Sequence, residues 1–172
     1  MEMRAAYAEC LAKFMEEDKH VVVLDADLAK ASGTRKLYER FPEQMFDCGV
    51  AEQDMASIAA GLASYGFKPW IESFTPFATR RICDQIAISI SYAKQNVKIV
   101  GTDPGISAEL NGGTHMSMED VGVIRSIPGM VILNTLKGCG VPWIVELGPG
   151  NHNCPLSEAQ AEAAIAELKK EA

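Results

Sequence analysis

The chain has 172 residues, of which 48% are hydrophobic, and a formal net charge of −7. That is enough for one compact domain with a sizeable core, and the charge weighs against non-specific attraction to nucleic acid or anionic membrane. No apolar run is long enough to span a bilayer, and the start MEMRAAYAEC has no signal-peptide core, so a cytoplasmic protein binding neither nucleic acid nor membrane is expected.

Along the chain, strand and helix patterns alternate. Residues 4–17 place Ala5, Ala8, Leu11, Ala12 and Met15 at helical spacing. VVVLDAD (21–27) reads as a buried β-branched strand ending in acids. A short helix is predicted around 35–40, and MFDC (45–48) reads as a second short strand. Small and apolar residues from Glu52 to Ser64 predict a tightly packed helix. KPWIES (68–73) is a third strand, a long helix is predicted from Ala78 to Ala93, and VKIVGTD (97–103) is a fourth strand. Residues 117–126 read as helical, and PGMVILNT (128–135) as containing a fifth strand.

Such alternation implies an α/β fold, a mostly parallel sheet with helices on both faces. Ligands of these sheets bind at the carboxyl ends of the strands, which directs interest to Asp25, Asp27, Phe74, Asp103 and the loop beyond it. The end of the chain departs from the rhythm. WIVEL (143–147) could be a sixth strand, yet only TLKGCGVP separates it from MVILN, too short for an ordinary parallel crossover. The final SEAQAEAAIAELKKEA is a predicted helix, with Ser157 and Gln160 in a capping-box pattern. Cys10, Cys48, Cys83, Cys139 and Cys154 form no CxxC pair and read as reduced thiols, and no metal site is expected.

Four segments could carry chemistry. In DCGVAEQDM (47–55), Glu52 opens an apolar helix. It is either a favourable N-terminal charge or, if buried against apolar walls, an acid able to share a proton with a ligand. In ESFTPFATRR (72–81), Phe74 and Phe77 follow a strand and are either core or an aromatic wall for a flat heterocycle. The Gly-rich loop GTDPGISAELNGGTHMSMED (101–120) holds His115, a helix-entry residue or a ligand contact, and its glycines match neither GxGxxG nor a P-loop. Lys137 and His152 lie in KGCGV and GNHNCPL, where a surface connector is the economical reading.

The order and spacing of DADLAKASGTRKLYERFPEQMFDCGVAEQDMASIAAGLA, SFTPFATRRICDQI and VKIVGTDPGISAELNGGTHMSMEDVGVIRSIPGMVI resemble the pyrimidine-binding domain of transketolases. The resemblance is greatest to the C-terminal subunit of split transketolases, covers residues 1–133, and implies a thiamine diphosphate-binding fold. It implies that Glu52 bonds the aminopyrimidine ring nitrogen and promotes its imino tautomer, and that Phe74 and Phe77 line the pyrimidine pocket. It also implies that Asp27 lies near cofactor and interface and that His115, from the GxTH motif, acts beside the substrate. Asp103 stands where transketolases commonly carry a histidine, and Asn111 where they carry an aspartate that contacts a substrate hydroxyl, departures that weigh against the usual sugar-phosphate substrates. Residues 134–172 resemble instead the end of the diphosphate-binding subunit, with His152 matching a loop histidine, as in a recombinant of two homologous pieces. No GDG motif occurs, so the diphosphate and its magnesium are expected to be held by a diphosphate-binding partner subunit within an oligomer, with the lone chain inactive. The alternative is a non-catalytic recombinant or interaction scaffold that keeps the fold.

Overall fold

The structure, a computed structural model, describes residues 3–133 and positions 157, 159, 160, 162, 163 and 166. Internal contacts divide the chain into Met1–Ile132 and Leu133–Ala172. In the first unit, α1 (Met3–Glu17) leads into β1 (Val21–Asp25), followed by the short α2 (Ala29–Ser32) and α3 (Arg35–Arg40). Then come β2 (Met45–Asp47), α4 (Glu52–Ser64) and β3 (Lys68–Phe74), and, after an irregular helical stretch, β4 (Lys98–Thr102) and α6 (Asp120–Arg125). All pairings are parallel, in the order β2-β1-β3-β4. The chain leaves β1 towards one edge and returns to pair β3 on its other side. That reversal opens a crevice beyond the carboxyl ends of β1 and β3, the place where such sheets bind ligands.

Helices cover both faces because alternate residues of β1 are apolar on both sides. Val22 and Leu24 join Met55, Ala56 and Ala59 of α4, with Ile71, Ile82, Ile86 and Ile90, in one buried cluster. Val21 and Val23 join Leu11, Met15, Leu37 and Met45 in the other. A strand buried on both faces reads as a continuous apolar run, which is why β1 stood out in the sequence.

The connection between β3 and β4 differs from the expected long helix over Ala78 to Ala93. It is divided into α5 (Thr75–Ala78), a 3-10 turn (Arg80–Ile82) and a π-helical segment (Gln85–Tyr92). The break falls at Thr79 (φ −125°, ψ −89°), whose hydroxyl lies 2.7 Å from the Thr75 carbonyl and 2.6 Å from Asp120 Oδ1. A side chain that bonds backbone locally competes with the helix ladder, and a second bond to a distant acid tips the competition. Similarly, α6 begins at Asp120 rather than near residue 117. Ser117 instead makes an antiparallel bridge with Gly105 and hydrogen-bonds Asp120. The expected fifth strand is not formed at residues 131–133, which are irregular, with Val131 and Leu133 exposed; residues 134–135 lie outside the described residues.

So do WIVEL and the KGCGV and GNHNCPL segments. Ser157 and Gln160 form the predicted capping box. Ser157 N–H donates to Gln160 Oε1 at 3.0 Å, and Gln160 N–H donates to Ser157 Oγ at 3.3 Å.

Gly101 lets β4 approach α5. A Cβ there would meet Thr75 Oγ1 at 2.9 Å and Thr75 Cα at 3.2 Å, and the second neighbour is backbone that cannot step aside. Gly101→Ala is therefore expected to lower stability by about 1–3 kcal/mol, as overpacking does. Urea denaturation checks this; an unchanged midpoint would mean that the contact has slack.

Candidate functional site

Side chains collect at the carboxyl edge of the sheet because each strand ends there and hands the chain to a polar loop or a helix N-terminus. Glu52 is the first residue of α4 and is only 3% exposed. Its carboxylate is not enclosed by apolar walls alone, as burial against them would require. The Arg81 guanidinium donates from Nη1 to both Glu52 oxygens, each at 2.9 Å. The same guanidinium carbon lies over the Phe77 ring, 4.0 Å from its centroid. Such a cation–π contact adds to the ion pair.

Phe77 and Phe74 lie 6.3 Å apart. The His115 imidazole meets both edge-on, at 5.0 Å from Phe77 and 5.7 Å from Phe74, with its Nδ1 2.9 Å from Thr114 Oγ1. Glu52, Arg81, Phe77, His115 and Phe74 thus form a continuous chain of contacts, linking the three separate sequence segments.

The loop carrying His115 is fastened from behind. Asp120 accepts from Thr79 and Ser117, and Arg80 pairs with Glu119 at 2.7 Å. The 3-10 turn that presents Arg81 is tied to α4 as well, since Gln53 Nε2 donates to the Arg81 carbonyl at 3.3 Å.

The remaining predicted residues lie apart from this chain. Asp27 is exposed beyond β1, with a left-handed backbone (φ 59°) and its N–H donating to Asp47 Oδ1 at 3.0 Å. It lines a cavity of about 360 Å³ together with Asp25, Lys30, Arg35, Tyr38 and Asp47. Neither Glu52 nor either phenylalanine lines that cavity. Asp103 follows β4, also left-handed (φ 50°), one residue past the Phe74–Thr102 register pair. Asn111 is exposed at the end of a 3-10 turn (Glu109–Asn111). His152 lies outside the described residues. Among the described residues, no group of three His, Cys, Asp or Glu side chains is placed to hold a metal ion, and no helix is long and apolar enough to cross a membrane.

Beneath the edge sits an acid pair of which the strand-end pattern pointed to Asp25 but not to Glu72. Glu72 of β3 is fully buried beside Asp25 of β1, its register neighbour. Thr34 donates to Glu72 Oε1 and Tyr38 to Asp25 Oδ2. Burial pushes the Glu72 carboxyl up to about 7; the bond from Thr34 pulls it back, and the Asp25 charge pushes it further up. Burial also raises the phenols of Tyr7 and Tyr38, with the neighbouring acids adding to it. Alternation along KPWIES was the available signal, because Glu72 shares a face with Trp70.

Arg81 was also missed. The signal was its spacing, four residues beyond Phe77, in a segment from which only the rings had been taken.

The family profile described as "Transketolase, pyrimidine binding domain" matches residues 1–137. A 6-deoxy-6-sulfo-D-fructose transketolase subunit of a Clostridium species is 52% identical over 130 residues, covering 76% of this chain and 40% of that protein. A putative transketolase C-terminal section from Methanocaldococcus jannaschii is 41% identical over 131 residues, 76% of this chain and 42% of that protein. A solved structure described as a split gene transketolase, inactive beta4 tetramer, is 39% identical, with a TM-score of 0.62 over 73% of this chain and 40% of that one. The chain thus spans about 40% of the length of the relatives it matches.

Proposed function

Because this chain belongs to the transketolase pyrimidine-binding family and has its α/β, thiamine diphosphate-binding fold, we propose that it forms the pyrimidine-binding half of a ketol-transferring site completed by a diphosphate-binding partner. The observation that carries this is that one planar group, the Arg81 guanidinium, bridges the Glu52 carboxylate and the Phe77 ring. A buried carboxylate and an aromatic ring are both within contact of that N–H-bearing group. An aminopyrimidine has the same requirements: a stacking surface and a carboxylate for its nitrogen edge.

In this reading Glu52 bonds the ring nitrogen and controls its proton, while Phe74 and Phe77 line the ring's pocket. His115, wedged against both rings, faces the reacting carbons and acts on substrate hydroxyls. Asp27 lies towards the cofactor and the partner. Asp103, Asn111 and, from outside the described residues, His152 contribute to substrate binding. When bound, thiamine diphosphate supplies the nucleophilic carbon that breaks and re-forms the ketose C–C bond. The diphosphate and magnesium are held by the partner. Residues 1–133 form the pyrimidine-binding domain, and residues 134–172 a piece related to the end of the diphosphate-binding subunit.

The test is calorimetry with thiamine diphosphate and magnesium. The chain alone is expected to bind weakly, and a mixture with a diphosphate-binding subunit stoichiometrically and with transketolase activity. Assays should include both sugar phosphates and 6-deoxy-6-sulfo-D-fructose, the ketose in the name of the Clostridium relative. Tight binding by the lone chain would remove the need for a partner; failure to form any complex would favour the non-catalytic scaffold.

A further inference from the structure

We propose that Arg81 is a stand-in for the cofactor's aminopyrimidine: its guanidinium fills the slot between Glu52 and Phe77 and leaves when the ring enters. This rests on the reading of Glu52 and Phe77 as the ring's contacts.

The geometry is that of a bound ligand. One nitrogen reaches both carboxylate oxygens at 2.9 Å, and the guanidinium carbon sits 4.0 Å from the ring centroid. Two groups cannot occupy that space together. A guanidinium and a protonated 4-aminopyrimidine also share their chemistry. Each is flat, each spreads positive charge over an N–C–N edge, and each presents N–H donors to a carboxylate.

Burial distinguishes the two partners. The Glu52 side chain is 3% exposed, whereas Arg81 is 42% exposed. The carboxylate is fixed at the entry of a helix packed in the core, while the arginine reaches it from the solvent side. The backbone of Arg81 is held by Gln53, and the preceding Arg80 by Glu119. The turn can therefore stay in place while the long side chain swings away. While it is seated, the arginine gives an otherwise uncompensated buried carboxylate a counter-charge, which explains why the lone chain tolerates Glu52 there.

A site occupied by its own side chain binds a ligand more weakly in proportion to the time it is open. The measurement uses the full chain and 4-amino-5-hydroxymethyl-2-methylpyrimidine, which has the ring without thiazolium or diphosphate, so neither metal nor partner is needed. Titration by NMR is expected to show Arg81→Ala binding about tenfold more tightly than the wild type, corresponding to a slot that is open about a tenth of the time. Arg81→Lys should fall between them, because an ammonium keeps the charge without the flat fork. In the wild type, the Arg81 guanidinium resonance should move to that of a solvated arginine at saturation. Thermal melts confirm that each variant is folded, and Arg81→Gln replaces Arg81→Ala if the latter is not. Binding that is unchanged or weaker in a folded Arg81 variant overturns the displacement. Glu52→Ala separates the two ideas. If it binds the probe as well as the wild type does, the pyrimidine reading falls and the displacement with it; if it loses binding while the Arg81 variants gain none, only the displacement falls.

Discussion

In a complex reconstituted with a diphosphate-binding subunit, Glu52→Gln lowers turnover by roughly 10²–10⁴-fold, the range over which a positioned acid–base group contributes. The substitution keeps side-chain shape and one acceptor oxygen but removes the carboxylate to which proton transfer is assigned in the proposal. It also separates the two roles left open by the sequence. If Glu52 were only a favourable charge at the start of α4, its loss would cost a few tenths to about 1 kcal/mol of stability and leave turnover alone. Steady-state kinetics beside a thermal melt therefore decides between them. Turnover within a few-fold of the wild type, in a variant of ordinary stability, would assign the residue to the helix terminus.

The second large effect is on stability and involves Glu72. Its carboxyl titrates near 7 in the native state against an ordinary 4.5, and it has no exposed surface. Between those values the native state keeps a proton that the unfolded chain has already released. The contribution of Glu72 to stability is thus fully present below about pH 4.5, falls as pH rises, and levels off above about pH 7. The loss from this one group amounts to about 3 kcal/mol at most, taking 1.36 kcal/mol per pH unit. Glu72→Gln removes the titration while keeping an acceptor for Thr34, and its amide can donate to Asp25 or Tyr7. The difference in unfolding free energy between variant and wild type should grow in the variant's favour from pH 5 to pH 8. A difference that stays flat across that range would show the carboxyl to be charged throughout.

Glu72 and Arg81 also show where sequence patterns give out. The helices over 35–40 and Glu52–Ser64 were legible because local spacing and burial agree there. β1 was legible because both its faces are apolar, so every residue carries the same message. The stretch from Thr75 to Tyr92 was not, because a hydroxyl at Thr79 and an acid 41 residues later jointly interrupt it. No local window contains both partners. The same holds for the site. The glutamate, the phenylalanines and the histidine belong to motifs whose order could be recognised, and the fold brings them into one chain of contacts. The arginine joining them lies four residues beyond Phe77, but its partner Glu52 is 29 residues away and is met only where the turn after α5 packs on α4. Asp27 and Asp103 follow strands at the carboxyl edge of the sheet and Asn111 lies in the loop beyond β4, none of them bonded to that chain of contacts, so their part in binding rests on the partner and substrate proposed above.

Asp27 and Asp103 share a backbone conformation that residues with a Cβ adopt at a cost of roughly 1 kcal/mol or more, and that glycine takes without penalty. Each follows a strand, where the main chain alone sets the direction in which the side chain leaves. In both, the left-handed main chain therefore fixes the direction of the Cα–Cβ bond, and the side-chain torsions beyond it remain free to adjust. A direction set by the main chain does not depend on side-chain packing, so substitutions in the surroundings that leave the two turns intact leave these Cα–Cβ directions unchanged.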